Sequence, residues 1–418
     1  MPRVCRVEFS CASDESIRME LLTTDGIRSD VTLAGKPWSH GYTQAQPQGV
    51  FFRGVVYGGS GYAEECWVVA VALAESGVPV QLVPIGQTSD SNRMLPKYAR
   101  QRLEHLTQQR VDLSRSILYQ HVTAFGWNLG IHGSVRVGRT MFETDRIPDG
   151  WLERCDAMDE IWLPSEFNRR TFEEAGVDAR KLRVVRAGVD TDLFRPGTRP
   201  LEISRARSFN FLSVFDLEPR KGTDLLVKAY LREFNADEDV ALILKISQLN
   251  DPITDPVAQL CYFIEKEAEL TLENCPPIIL LKGFLSQAEM AALYASAHAF
   301  VLPTHGEGYG RPLMEALSVE LPVIATRWSG QLDFLRDENS YLIDIEGLVP
   351  ASVEEEIFAG HLWAQPSVEH LQQLMRRAFS NRDEARARGQ QGRRDMIANW
   401  DWSVTAPLWV NEFRRLLD

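Results

Sequence analysis

Apolar residues recur along the chain in two series of short strand-like runs separated by longer helix-like ones. The first series opens at GVFFRGVVY (49–57), followed by the glycine loop GGSG, the periodic apolar run YAEECWVVAVALAESG and then VPVQLVP. This order predicts strand, loop, helix and strand, one βαβ unit. Further strand-like runs follow at SILYQH, EIWLPS and LRVVRAG, with helical segments between them. One of these, FNRRTFEEAG, ends at Gly176, as a C-cap requires. After a polar stretch at 195–208 the pattern restarts with FNFLSVF, the turn DLEPRKG, the helix TDLLVKAYLREF and the strand DVALILKIS; PIILLKG, AFVLPT and PVIAT come later. Such alternation predicts two α/β units, each a mostly parallel sheet covered on both faces. Residues 1–48 fit neither series: VCRVEFS, IRMELLT and DVTLA alternate like short antiparallel strands and predict an appended hairpin or edge. In the C-terminal WDWSVTAPLWVNEFRRLLD, helical spacing puts Trp402, Leu408, Trp409, Phe413 and Leu416 on one packed face.

Length agrees with more than one unit, since 418 residues exceed an ordinary domain of about 150. With 44% apolar and 25% charged residues, the composition excludes disordered, collagen-like and membrane-spanning classes. The longest apolar stretch, 67–74, falls far short of the roughly 20 residues that cross a bilayer. Residues 1–10 carry Arg3, Arg6 and Glu8 where a signal peptide needs an apolar centre, so a cytoplasmic location is expected. Cys5, Cys11, Cys66, Cys155, Cys261 and Cys275 contain no Cys-x-x-Cys pair, which favours reduced thiols over a disulfide or zinc framework. A net charge of −13 argues against nucleic acid as a partner.

Most of that negative charge lies beyond residue 200, and within the first half the stretch 91–115 is basic. It holds Arg93, Lys97, Arg100, Arg102, Arg110 and Arg115 against Glu104 and Asp112, with Leu95, Leu103 and Leu106 between. Two readings follow: a solvated helix face beside a substrate pocket, or a basic amphipathic helix making peripheral contact with anionic lipid at the inner face of a membrane.

Three loops carry candidate chemistry, each between a strand and a helix, where open α/β sheets place their ligands. Gly58, Gly59, Ser60 and Gly61 form the first, either a plain tight turn or a place where backbone N–H groups meet an anion. Reading Gly-x-Gly-x-x-Gly from Gly59 puts Glu64 at the third glycine, and the next strand ends at Ile85-Gly86-Gln87 without a ribose-binding acid, so a dehydrogenase is disfavoured. The second, DLEPRKG, offers Arg220 and Lys221 at a helix start, a pair that either clamps a diphosphate or is simply solvated. The third, PTHGEGYGRPLMEALSVELPVIAT, has Gly306, Gly308 and Gly310 in a loop before Pro312 at a first helical turn. Glu307 sits in that loop and Glu315 in the first helical turn after it. Both carboxylates are expected at the loop mouth, accepting bonds from sugar and ribose hydroxyls while amides and the helix dipole favour phosphate.

The Glu-x7-Glu element in EGYGRPLMEA, with EIWLPSEFNRRTFEEAGV…LRVVRAGVDTDLFRPG, EPRKGTDLLVKAY and WDWSVTAPLWVNEF, resembles the retaining glycosyltransferases of family 4, glycosyl transferases group 1, over about residues 50–418. The resemblance implies the α/β GT-B fold: two Rossmann-like domains facing a central cleft, here with an N-terminal β extension. The implied division is an extension at 1–48, an acceptor domain at 49–200 and a nucleotide-sugar donor domain at 201–400, with a helix over 402–418 packing back onto the acceptor domain. It implies that Glu315 binds the nucleotide ribose and Glu307 the transferred sugar, with the amides of Gly308, Tyr309 and Gly310 near sugar and phosphate. Lys221 and Arg220 neutralise the diphosphate, Gly59, Ser60 and Gly61 lie near the donor phosphates and the acceptor, and His121 stands beside the donor sugar. Read alone, a histidine after a strand is more often a satisfied structural residue. RTMFETDRIP resembles a subset of the family and puts Glu143 and Asp145 near the cleft mouth, without a role. One departure is Phe215, where the family commonly has a second cation before the lysine loop.

Cleaving an anomeric carbon from a nucleoside diphosphate develops oxocarbenium character on the sugar and negative charge on the leaving phosphate. Cationic side chains and backbone donors meet that need without a metal. No Asp-x-Asp stands at a strand end of the second unit; Asp190-x-Asp192 and Glu143-x-Asp145 lie in the first. Neither a metal nor another cofactor is therefore expected, and the partners are a nucleotide-sugar donor and a sugar, glycan or lipid-linked hydroxyl acceptor. The resemblance implies a retaining transfer in which the leaving phosphate takes the acceptor proton on the same face of the sugar, so that no nucleophile is needed. Phe125, Trp127 and Tyr62 are candidates to stack on a sugar ring. An epimerase, a phosphorylase or a catalytically silent binding subunit would use the same cleft; the first needs no acceptor and the second consumes free phosphate.

Overall fold

The two alternating series fold into two parallel six-stranded sheets in a computed structural model of the chain. It describes residues 47–58, 60–86, 95–247, 255–268, 275–283, 285–351 and 356–418, together with the strand backbones of 4–11, 17–23 and 28–33. Those three strands, β1 (Val4–Cys11), β2 (Ile17–Thr23) and β3 (Arg28–Leu33), form an antiparallel sheet in order β1-β2-β3 within a unit of its own, Met1–Ala45. The second unit, Gln46–Asp418, holds both parallel sheets.

Its first sheet is built from β4 (Val50–Gly54), α1 (Gly61–Glu75), β5 (Val80–Pro84), α2 (Lys97–Gln108), β6 (Ile117–His121), β7 (Val135–Arg139), α3 (Trp151–Asp156), β8 (Glu160–Leu163), α4 (Glu166–Glu174) and β9 (Leu182–Val184). The strand order is β5-β4-β6-β7-β8-β9, every pair parallel. Chain order reverses between β4 and β6, so the GGSG loop and the end of β6 flank the crevice where such sheets bind ligands. Ser60 caps α1, its hydroxyl accepting from the Ala63 amide at 3.2 Å. Leu103 and Leu106 of α2, with Leu95 before it, are buried in the first sheet's core. The apolar stripe of the basic segment is thus spent on the protein's own interior, which removes the lipid-inserting half of the membrane reading. Residues 91–94 of that segment lie outside the described residues, and no helix among the described residues is long and apolar enough to cross a membrane.

The second sheet follows from β10 (Phe209–Asp216), α5 (Thr223–Glu233), β11 (Val240–Ser247), α6 (Pro256–Ala268), β12 (Ile278–Leu281), α7 (Gln287–Ala295), β13 (Ala299–Leu302), α8 (Arg311–Ser318), β14 (Val323–Thr326) and β15 (Ser340–Ile343). Its order, β12-β11-β10-β13-β14-β15, places the reversal between β10 and β13, the strands that feed the Arg220-Lys221 and Glu307 loops. A hairpin, β16 (Ile345–Pro350) with β17 (Leu362–Pro366), precedes α9 (Val368–Ser380), α10 (Arg382–Asn399) and α11 (Trp402–Leu417). The hairpin does not stay with its own sheet: Phe358 and Trp363 share a buried cluster with Phe142, Trp151, Ile161 and Phe172 of the first.

The chain crosses back where Val189 pairs with Asp401, and Asp401 accepts from the Thr191 hydroxyl at 2.7 Å. Beyond that crossing α11 packs on α1 and seats Trp409 and Phe413 against Tyr119 and Trp162. The Trp409 indole donates to the Arg186 carbonyl at 2.7 Å and lies under the Arg139 guanidinium. Leu408, expected on the packed face, is instead 47% exposed, because the buried stripe runs through Thr405, Trp409, Val410 and Phe413. Replacing Trp409 by alanine should cost about 3–5 kcal/mol in chemical denaturation, whereas Leu408→Ala should stay within about 0.5 kcal/mol of the parent.

Candidate functional site

Adjacent strands bring two loops together at the reversal of the second sheet. After β10 the chain makes a single 3-10 turn over Pro219–Lys221, with Arg220 and Lys221 at its end. After β13 it enters the loop 303–310. Hydrogen bonds lock the loops to each other: the His305 amide donates to the Arg220 carbonyl at 2.8 Å, and the Thr304 hydroxyl donates to the same oxygen at 3.0 Å. Arg220 returns the connection, donating from Nη1 to the Gly306 carbonyl at 2.6 Å.

Glu307 meets both cations. Lys221 Nζ donates to its Oε1 at 2.6 Å and Arg220 Nη1 stands 3.4 Å from the same atom. Burial alone would raise this carboxyl, but Lys221 and Arg220 outweigh it and hold Glu307 below the ordinary carboxylate value. Arg220 is desolvated too, yet Glu143, Glu307 and Glu218 around it keep its guanidinium more firmly protonated than usual. The Glu307 amide donates to Ser329 Oγ at 2.8 Å. Ser329 holds that position with φ 74° and ψ −159°, a conformation otherwise kept by glycine, so backbone strain is stored beside the carboxylate.

The second acid has other partners. Glu315 lies past the first turn of α8, which starts at Arg311, so the expected first-turn placement is corrected. One oxygen accepts from the Tyr294 hydroxyl at 2.8 Å and the other from Arg311 Nη2 at 3.3 Å. Arg311 also spans the cleft, standing 2.6 Å from Glu64 of α1. Burial raises the Glu315 carboxyl despite Arg311. The glycine loop of the first sheet closes on this arginine, since a Cβ at Gly61 would lie 3.0 Å from Arg311 Cδ.

Several expected ligand groups turn out to have structural tasks. Ser60 spends its hydroxyl on capping α1, and Gly59 lies outside the described residues. Tyr309 is buried, its hydroxyl donating to the Ala187 carbonyl at 2.6 Å, so only its backbone is left for a ligand. Gly310 has φ 94° and begins α8, where a side chain would be strained. Gly306 must be glycine for a different reason: a Cβ there would fall 2.1 Å from the Glu143 carbonyl. Gly308 likewise faces Met141, so the segment after β7 lies directly against the loop. Of the three aromatic candidates, Trp127 is buried against Gly138 and the Tyr62 hydroxyl accepts from the Met141 amide; Phe125 alone is open, at 49% exposure.

His121 is corrected as a donor-sugar contact. It is wholly buried, with Nε2 standing 3.2 Å from Glu65 Oε1 and Nδ1 3.2 Å from the Tyr119 hydroxyl. Arg139 Nε donates to the same Glu65 oxygen at 2.6 Å. Burial lowers the His121 pKa, despite the carboxylate beside it. Of the residues missed from sequence, Tyr294, Ser329, Glu65 and Arg139 act through partners distant in the chain, and Arg311 pairs with distant Glu64 as well as with nearby Glu315. Pro312 beside Arg311 and the polar Ser329-Gly330 after β14 were their only local signals.

With this geometry in place, residues 208–359 match glycosyl transferases group 1. That stretch is a group 1 glycosyl transferase domain. It carries Arg220, Lys221, Glu307 and Glu315. The chain is also similar to the MMP α-(1→4)-mannosyltransferase of Mycolicibacterium hassiacum, 25% identical over 243 residues, covering 58% of this chain and 50% of that protein. The GDP-mannose-dependent α-(1-6)-phosphatidylinositol monomannoside mannosyltransferase of Mycobacterium tuberculosis is 25% identical over 314 residues, 70% of this chain and 68% of that one. The chain therefore spans only half the length of the first relative and about two thirds of the second. The two parallel six-stranded sheets of the second unit have the GT-B architecture. It superimposes on Anabaena Alr3699/HepE, solved in complex with UDP-glucose, with a TM-score of 0.62 at 15% identity, covering 88% of this chain and 98% of that one.

The buried Glu65 beneath the glycine loop makes a pH prediction. Burial would raise its pKa, but Arg139 and His121 outweigh that and hold it at about 2, against an ordinary 4.5. The cluster's contribution is therefore complete above pH 4.5 and is lost as pH falls towards 2. Urea denaturation from pH 6 to pH 3 should show a steeper loss of stability for the parent than for Glu65→Gln, which has no carboxyl to protonate.

Proposed function

We propose that this chain is a glycosyltransferase that moves a hexose-type sugar from a nucleoside-diphosphate sugar to a hydroxyl acceptor, with retention and without a metal. The observation that carries the reading is the meeting of Lys221, Arg220 and Glu307 at the strand reversal of the group 1 domain. Two fixed cations suit the charge that grows on a departing diphosphate, and a carboxylate between them suits the hydroxyls of the sugar being transferred.

In this reading Lys221 and Arg220 bind the diphosphate, while Glu307, released from Lys221, orients the sugar. Glu315, held by Tyr294 and Arg311, accepts from the ribose, and the amides of Gly308, Tyr309 and Gly310 line the path between them. Lys221 and Arg220 supply the positive charge that a divalent ion provides elsewhere. The leaving phosphate takes the acceptor proton on the same face of the sugar, which requires no protein nucleophile. His121 is buried against Glu65 and Tyr119 and does not touch the sugar. The acceptor enters from the loops of the first sheet, where Phe125 offers an open aromatic face.

The relatives' names give GDP-mannose as one donor, and the Anabaena protein was solved with UDP-glucose, so uridine, guanosine and adenosine diphosphate sugars belong in one thermal-stabilisation screen. At a hundred times its Kd, the true donor adds about 2.7 kcal/mol of apparent stability. Lys221→Ala should abolish that gain and lower kcat/KM by about 100-fold or more, with parent turnover persisting in EDTA. Unchanged donor affinity and turnover in Lys221→Ala would remove the clamp from the mechanism.

A further inference from the structure

Among the described residues, Glu143 is the one carboxylate paired with the clamp that comes from the first sheet. It sits between β7 and α3, and its backbone has little freedom. The Asn168 side chain donates to the Phe142 carbonyl at 2.5 Å, the Thr144 hydroxyl meets His361 Nδ1 at 2.7 Å, and Asp145 exchanges two bonds with Leu362 of the hairpin. The Glu143 carbonyl itself fills the space beside Gly306. Only the side chain is left to move, and its Oε1 lies 3.6 Å from Arg220 Nη2.

The charges there do not balance. Arg220 and Lys221 face three carboxylates, Glu143, Glu218 and Glu307, before any phosphate arrives. A diphosphate entering at the same two cations adds further negative charge to a site already in excess, in surroundings where screening by water is weak. Glu218 and Glu307 belong to the loops that carry the cations and the bound sugar. Glu143 comes from across the cleft and makes the longest of Arg220's three ion contacts, 3.6 Å against 3.1 and 3.4 Å. Resting on the glycosyltransferase reading above, we propose that Glu143 is a further donor-site residue: its carboxylate stands in for a donor phosphate oxygen on Arg220, and the incoming diphosphate must displace it. Glu143 thereby sets donor affinity from the acceptor side of the cleft. Burial, reinforced by Glu307 and opposed by Arg220, already holds its carboxyl above the ordinary value, consistent with a group that leaves its partner readily.

The test is calorimetry on the full chain with whichever of UDP, GDP or ADP stabilises the parent, and with the matching nucleoside as control. Glu143→Gln, which keeps the shape and removes the charge, should bind the diphosphate about fivefold more tightly and the nucleoside no differently. Glu143→Ala should shift both affinities in the same way, guarding against a new contact made by the amide. Equal or weaker diphosphate binding in both variants overturns the proposal, as does a gain that extends equally to the nucleoside, which would mark a general change of the site. A parent that binds none of the three diphosphates defeats the glycosyltransferase reading itself, and this proposal with it.

Discussion

Lys221 and Glu307 form an ion pair in surroundings where neither charge is well solvated. A buried pair of this kind adds little to stability, because removing two charges from water costs roughly what their attraction returns. Its value lies in position. The pair exists because β10 and β13 are neighbours at the point where the second sheet reverses its strand order, so that two loops far apart in sequence end side by side. The bonds from the His305 amide and the Thr304 hydroxyl to the Arg220 carbonyl, and the strained Ser329 under Glu307, hold the charges where bulk water would otherwise let them relax.

Several junctions among the described residues join the two sheets around that point, three of them as follows. At one edge the Val189–Asp401 crossing and α11 tie the end of the chain to the first sheet. At another, Phe358 and Trp363 of the hairpin are buried among first-sheet aromatics. Between them Arg311 bridges Glu64 and Glu315. Each of these three junctions buries apolar surface or a paired charge, so the cleft is bounded by fixed contacts, and the side chains of Glu143, Glu307 and Lys221 carry the adjustment that a ligand requires.

Much of this architecture is legible in the amino-acid sequence. Continuous apolar runs such as FNFLSVF and DVALILKIS become central parallel strands because both their faces are covered. β7 is not legible: VRVGR carries two arginines and a glycine, and it qualifies as a strand only because Arg139 is neutralised in the core by Glu65. The β16–β17 hairpin escapes for a similar reason, since β16 alternates half-buried and exposed positions and its value lies in aromatic residues of the other sheet. At the site, glycine spacing and the eight-residue offset identify Glu307 and Glu315, because local chain geometry sets both. Lys221, Arg220, Ser329 and Tyr294, which hold them, come from distant segments and leave no such local trace, whereas Arg311 lies one helical turn before Glu315. His121 shows the opposite limit, a polar residue at a strand end whose surroundings close over it entirely. Leu408 shows how one helical position misjudged turns a core residue into a surface one.

The most direct measurement is a crystal structure of the parent chain with a nucleoside-diphosphate sugar that stabilises it. The account predicts phosphate oxygens within hydrogen-bonding distance of Lys221 Nζ and the Arg220 guanidinium, with Glu307 turned from the lysine to a hydroxyl of the sugar and Glu315 at the ribose. A ligand lodged elsewhere, with the Lys221–Glu307 pair still closed, would contradict it.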